Sequence, residues 1–114
     1  MRRVGLVVAL ILLAFSSTTF AADLQFTESN YFEENGSFMV MGFVKNISTN
    51  TIKDITITIK YYDKAGKFLR FETTSANPSI LHPGEEANYR VAIPEDKRIA
   101  SIKKRVKGTP EEEN

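Results

Sequence analysis

The stretch from Thr51 to Tyr62 alternates apolar and polar side chains more strictly than any other part of this chain. Its apolar positions are Ile55, Ile57, Ile59 and Tyr61, and the positions between them are Thr56, Thr58, Lys60 and Tyr62. A strand with one buried and one solvated face shows this period of two, and β-branched residues favour extended backbone. The chain must therefore build a sheet that is covered on one side, with the isoleucine row in the core.

Turn signals divide the rest of the chain into short strands. Asn35-Gly36 predicts a hairpin because both residues tolerate a positive φ. Asp63 suits the first position of a type I turn, and Gly66 suits the left-handed position after it. Strands are predicted over residues 24–32 (broken or bulged around 28–30), 37–46, 51–62, 67–74, 87–93 and 99–106. Short strands at this spacing, without a helical period, predict an all-β, immunoglobulin-like antiparallel β-sandwich of six to seven strands.

The amino end has the pattern of a secretory signal peptide. Arg2 and Arg3 precede an apolar run over residues 4–15, and small residues follow as far as Ala22. The run is shorter than the roughly 20 residues that a membrane-spanning helix needs. We predict a signal peptide over residues 1–21, cleaved after Ala21 or alternatively after Ala22, and an exported protein that is periplasmic, cell-surface or secreted. The alternative is an uncleaved anchor helix.

The remaining chain is predicted to be one domain over residues 22–108 and a disordered acidic tail over residues 109–114. It has no cysteine, which excludes a disulfide framework, thiol chemistry and cysteine lipidation. Removing Arg2 and Arg3 from the 15 basic residues leaves 13 against 14 acidic ones. A net charge near −1 gives no overall attraction to nucleic acid.

The sequence offers little for catalysis. His82 is the single histidine and precedes Pro83 in a predicted surface turn. His-Cys metal sites and Cys-His nucleophiles are excluded because no second histidine or cysteine exists. The acidic runs at residues 33–35 and 111–113 lack the alternating oxygen ligands of a dedicated calcium loop. We therefore predict a protein that is not an enzyme and has no catalytic residue, cofactor or metal.

The predicted strand over residues 37–46 is apolar on both sides. Its second side carries Met39, Met41 and Phe43, although a strand of a half-solvated sheet should be polar there. Either the N-terminal segment with Tyr31 and Phe32 folds over this row, or the row is an exposed contact surface for a protein partner.

The end of the last predicted strand and the residue that follows it are strongly basic. The cationic positions are Lys103, Lys104, Arg105 and Lys107. They could contact anionic lipid headgroups or an acidic envelope polymer, or they could protect a sheet edge from pairing with other chains. Together with Tyr61, Tyr62 and Tyr89, this strand supports an alternative function as a carbohydrate- or lipid-surface binder. An exposed aromatic platform would favour that alternative, and buried tyrosine rings would favour a protein partner.

Three motifs together resemble the FxLYD domain family. They are Val40-x-Gly42-x-Val44-x-Asn46, Ile59-x-Tyr61-Tyr62-Asp63-x-x-Gly66 and Leu81-x-Pro83-Gly84-Glu85. The resemblance covers about residues 38–107, with Ile59 and Tyr61 in place of the Phe and Leu of the family name. It implies a small immunoglobulin-like module of exported and cell-envelope proteins, without a catalytic residue or an agreed ligand.

The motif residues also have a structural interpretation. Gly42 would make room for a large core group such as Tyr61, since glycine in mid-strand often marks a close approach. The side chains of Asn46 and Asp63 would satisfy turn backbone, and Pro83-Gly84 would fix a tight turn.

These observations lead to one functional hypothesis. The chain is predicted to be a non-enzymatic, exported binding module of the cell envelope. It would recognise another protein through the Met39, Met41 and Phe43 row or by adding a partner strand to a sheet edge.

Overall fold

The computed structural model describes residues 18–19 and 23–111, which form seven strands. They are β1 (Thr18–Thr19), β2 (Leu24–Glu34), β3 (Ser37–Asn46), β4 (Ile52–Tyr62), β5 (Phe68–Ser75), β6 (Glu86–Pro94) and β7 (Ser101–Pro110). The predicted signal peptide, apart from β1, and residues 112–114 of the predicted tail lie outside the described residues. Within the described ranges, no helix has the length and apolar character needed to cross a bilayer.

The strands form two sheets that face each other across one core. The three-stranded sheet has the order β2-β3-β6, and the four-stranded sheet has the order β1-β7-β4-β5. All pairings are antiparallel except that of β1, which pairs in parallel with β7. The predicted immunoglobulin-like antiparallel β-sandwich of six to seven strands is confirmed.

The core follows the alternation of the two central strands. The inward positions of β4 are Ile55, Ile57, Ile59 and Tyr61, and those of β3 include Phe38, Val40 and Val44; all are buried. The positions between them in β4 point away from the core and are partly exposed. Local period and burial agree throughout the isoleucine row of β4, whereas in β3 the outward-facing Met39 is buried as well.

Both predicted hairpins form as expected. Asn35 (φ 50°) and Gly36 (φ 82°) make the two-residue turn between β2 and β3. Gly66 has φ 85°, and its amide donates a 2.9 Å hydrogen bond to the carbonyl oxygen of Asp63. Positive φ values occur at the positions where the sequence places residues that tolerate them.

Strand β2 runs beside β3 over nearly the whole length of that strand. The predicted break is a register shift between Phe26 and Glu28, slightly earlier than expected, and the strand continues to Glu34. Because β2 belongs to the same sheet as β3, it does not fold over the outer side of β3.

Strand β7 is longer than expected and includes two residues of the predicted tail. Thr109 and Pro110 lie opposite Lys53 and Ile52. A Cβ atom at Gly108 would come within 2.5 Å of Ile52 Cγ2. The glycine therefore lets the end of β7 close tightly over the core.

Candidate binding surfaces

The outer side of the three-stranded sheet carries a row that we call the apolar face: Phe32, Met39, Met41 and Phe43. Phe32 lies opposite Met39 on the neighbouring strand. Phe43 is 38% exposed, whereas Met39 is only 8% exposed and its Sδ accepts a 3.5 Å hydrogen bond from Arg90 Nε. The exposed part of the apolar face is therefore its Met41–Phe43 end.

Polar side chains border this end. Met41 lies between Asn30 and Arg90 on the adjacent strands, and Phe43 has Asn88 opposite it on β6. A shallow depression of about 300 Å³ lies among these residues. An apolar centre with a polar rim, rich in Met, Phe and Arg, has the composition of protein contact surfaces.

The outer side of the four-stranded sheet has a different chemistry, and we call it the basic–aromatic face. Its residues are Lys60, Tyr62, Phe68, Phe71, Lys103, Arg105 and Lys107. Lys103, Arg105 and Lys107 alternate along β7 and are exposed. Lys60 on β4 lies directly opposite Lys103. Cations from two strands thus share one surface.

Aromatic rings adjoin these cations. The Tyr62 and Phe68 rings meet edge to face with centroids 5.9 Å apart, and Lys103 Nζ lies 5.1 Å from the Tyr62 centroid. Phe68 is 49% exposed and Phe71 is 57% exposed. Neither phenylalanine was predicted from the sequence to belong to a binding surface. They lie three residues apart, and only a register shift opposite Tyr61 and Tyr62 brings them to the same face.

Lys104, the remaining member of the predicted basic run, points the other way into the core. It is 7% exposed; its Nζ lies 4.6 Å from the Phe26 centroid and donates a hydrogen bond to Ser29 Oγ. Ser29 Oγ in turn lies 3.1 Å from the hydroxyl of Tyr89. Burial lowers the pKa of Lys104 to about 8. Strand alternation predicts this orientation. The apolar Ile102, two residues earlier, points inward, so Lys104 should point inward as well.

The tyrosines named in the alternative hypothesis do not form an exposed platform. Tyr61 and Tyr89 are core residues, and only Tyr62 is partly exposed. Burial raises the pKa of Tyr89 to about 12 and also raises that of Tyr61. Both rings sit at inward positions of their strands, so strand alternation removes them from the surface.

Gly42 makes room for a core ring, but the ring is Tyr89 and not Tyr61. A Cβ atom at Gly42 would lie 2.8 Å from the Tyr89 hydroxyl oxygen and 2.0 Å from the Glu28 carbonyl oxygen. Tyr89 is the cross-strand partner of Gly42, which sequence alone does not reveal.

Asn46 joins two loops at one end of the sandwich. Its Nδ2 donates to the carbonyl oxygens of Asn50 and Leu81 at 2.8 and 2.9 Å. Its Oδ1 accepts from the backbone amide and the hydroxyl of Ser48. The side chain is fully buried, and all its polar atoms are hydrogen-bonded.

The other motif residues lie in turns. Asp63 Oδ1 accepts hydrogen bonds from the Ala65 and Lys67 amides, at 2.9 and 2.8 Å. Pro83 precedes Gly84, which has φ 86°, and the Glu85 carboxylate accepts a 2.8 Å hydrogen bond from the backbone amide of His82.

The exposed His82 ring contacts Thr51, with 2.9 Å between Nδ1 and the threonine hydroxyl. Among residues 18–19 and 23–111, no group of three or more His, Cys, Asp or Glu side chains could hold a metal ion.

Solved structures resemble the sandwich at low sequence identity. A DUF1425 family member from Shewanella superposes with a TM-score of 0.54 at 12% identity, over 74% of this chain and 76% of the other. Campylobacter jejuni Cj0090 superposes with a TM-score of 0.46 at 17% identity, over 81% of this chain and 97% of the other. A Kluyveromyces marxianus β-glucosidase superposes with a TM-score of 0.46 at 10% identity, over 76% of this chain but only 14% of the enzyme. The Shewanella similarity concerns the fold alone.

At the level of sequence, no curated protein matches the chain. A family model described as protein of unknown function DUF2393 matches residues 3–107, which is nearly all of the β-sandwich. The chain therefore belongs to the DUF2393 family.

Proposed function

We propose that this protein is a non-enzymatic, exported binding module of the cell envelope that recognises another protein through its apolar face. One observation carries the proposal. Strand β3 is central in its sheet, yet Met41 and Phe43 stay on the side away from the core, with no second layer of the described residues over them. A solvated sheet face is normally polar at such positions.

The signal-peptide pattern supports the export part of the proposal, and the FxLYD resemblance supports a cell-envelope module. The burial of Tyr61 and Tyr89 weighs against a tyrosine platform for carbohydrate and in favour of a protein partner. The polar rim around Met41 would supply the hydrogen bonds that usually surround an apolar contact.

The test is affinity capture from the native envelope with the purified protein as bait. Met41→Asp/Phe43→Asp should weaken capture of the specific partner about 30-fold or more, because loss of even one hot-spot residue at the centre of an interface costs about 2 kcal/mol or more. Thr49→Asp/Ala65→Asp is the control, since it adds the same charge at exposed loop positions outside both faces.

Circular dichroism must show that both variants are folded. Undiminished capture by the apolar-face variant would contradict this site and favour strand addition at a sheet edge, such as that of β5 or β6. If the control variant loses capture of the partner to the same extent, added negative charge in general causes the loss, and this result would also contradict the proposed site.

A further inference from the structure

The basic–aromatic face concentrates positive charge that no ion pair among the described residues neutralises. Lys60 and Lys103 lie directly opposite each other, an arrangement that destabilises a sheet because like charges repel. The ion pairs found in the described part of the chain join Arg70 to Glu72 and Arg98 to Asp96. Neither includes a cation of this face.

The cross-strand neighbours of these cations are not acidic. The cross-strand rows are Ser101–Tyr62–Phe68, Lys103–Lys60–Phe71, Arg105–Thr58–Thr73 and Lys107–Thr56–Ser75. No aspartate or glutamate occurs in these four rows. The positive charge is therefore local, although the domain as a whole is close to neutral, and the surface is complementary to an anionic partner.

The same surface exposes Phe68 and Phe71 beside the cations. A hydrated acidic polymer would neutralise the charge but would offer no apolar environment for these rings. The interface of an anionic bilayer offers both, with phosphates at headgroup level and the acyl boundary a few ångströms deeper.

The shape of the surface agrees with this chemistry. The outer side of a sheet is broad, and the hollow between Lys60, Tyr62 and Lys103 has a volume of only about 220 Å³. A hollow of this size can hold one small anionic group such as a headgroup phosphate.

We propose that the basic–aromatic face docks the protein on the surface of an anionic phospholipid bilayer. Lys60, Lys103, Arg105 and Lys107 contact headgroup phosphates, and Phe68 and Phe71 enter the interface. The apolar face lies on the opposite side of the sandwich, so a docked protein presents it away from the lipid. This inference is independent of the proposed protein partner, because the two faces share no residue.

The test is sedimentation of the purified protein with vesicles of phosphatidylglycerol and phosphatidylcholine, compared with phosphatidylcholine alone. Each basic residue near an anionic leaflet strengthens binding about fivefold. Lys103→Gln should therefore weaken binding to the anionic vesicles about fivefold, and Lys103→Gln/Arg105→Gln about 30-fold. Lys45→Gln, on the three-stranded sheet, is the matched control and should leave binding unchanged. Binding should also fall as the ionic strength rises from 0.01 to 0.15 M, since the screening length shortens from about 30 to about 8 Å.

Phe71→Ser separates lipid from other anions. It should weaken binding to anionic vesicles severalfold while leaving retention on a soluble polyanion such as heparin unchanged. Vesicle binding that does not depend on Phe71 would overturn the lipid assignment and favour an acidic polymer. Equal binding to anionic and neutral vesicles, or equal losses with Lys103→Gln and Lys45→Gln, would overturn the role of the face.

Discussion

At the scale of single residues, Lys103 and Lys104 are neighbours in sequence with opposite environments. Lys103 is exposed beside the Tyr62 ring, whereas Lys104 is buried beside the Phe26 ring and donates to Ser29. Contact with aromatic rings offsets part of the cost of burying an ammonium group. No carboxylate in the described residues forms an ion pair with Lys104, so its charge remains a source of instability.

Replacing Lys104 by Met should stabilise the fold. Burial lowers the folded pKa from 10.5 to about 8, so the unfolded chain binds more protons between those two pH values. Wild-type stability should therefore rise as the pH increases from about 8 towards 10.5, whereas Lys104→Met should lack this rise. At pH 7 the variant should be about 1–3 kcal/mol more stable, measured by urea unfolding.

Lys103→Met is the control for this prediction and should keep the wild-type pH dependence. The unfolding measurements should extend only to about pH 9.5. Above about pH 10, tyrosines ionise more readily in the unfolded chain than in the fold, where burial raises the pKa of Tyr89, and the protein loses stability for that reason. If the stability of Lys104→Met rises with pH as much as that of the wild type, another group causes the pH dependence.

At the scale of elements, the absence of a side chain at Gly42 shapes the centre of the three-stranded sheet. The hydroxyl of Tyr89 from β6 reaches Ser29 on β2 beside Gly42 of β3. The three strands are thus joined by a side-chain contact as well as by backbone hydrogen bonds.

Gly42→Ala should destabilise the protein by about 1–3 kcal/mol, because the added methyl group overpacks this contact. Tyr89→Phe removes the hydroxyl from this contact. In that background, Gly42→Ala should destabilise the protein somewhat less, but not negligibly, since the Glu28 carbonyl oxygen remains close. Thermal unfolding of the four proteins of this double-mutant cycle measures the coupling. An unchanged melting temperature in Gly42→Ala would refute the tight fit.

At the scale of the whole molecule, a buried amide links the two sheets at one end. Asn46 closes β3 of the three-stranded sheet and bonds to the loop before β4 and to Leu81 in the β5–β6 connection. The polar network holds together two connections that are far apart in sequence.

Asn46→Ala should destabilise the fold by about 2–3 kcal/mol, because it removes the side-chain hydrogen bonds to Leu81, Asn50 and Ser48, although the Leu81 carbonyl oxygen keeps its bond from the Ile52 amide. Asn50→Ala is the control: Asn50 is an exposed asparagine of the same loop, and its backbone carbonyl oxygen, which accepts from Asn46, is retained. Its effect should stay within about 0.5 kcal/mol. Equal unfolding midpoints for the two variants would show that the network contributes little.

The sequence by itself determined the strands, the hairpins and the inward rows. These depend on local rules: side chains alternate along a strand, and Asn35, Gly36 and Gly66 tolerate positive φ. Strand alternation also contained the signal for the burial of Lys104, although its charge favoured an exposed position.

Only the tertiary structure decided which strands are neighbours, and therefore which side chains share a surface. Pairing brought Tyr89 to Gly42, set β2 beside β3 so that Phe43 stayed exposed, and joined Lys60 to the basic row of β7. A register shift placed Phe68 on the same side as Phe71. These outcomes depend on contacts between residues far apart in the chain, and hydrophobic periodicity within one strand does not specify its partner or the register of pairing.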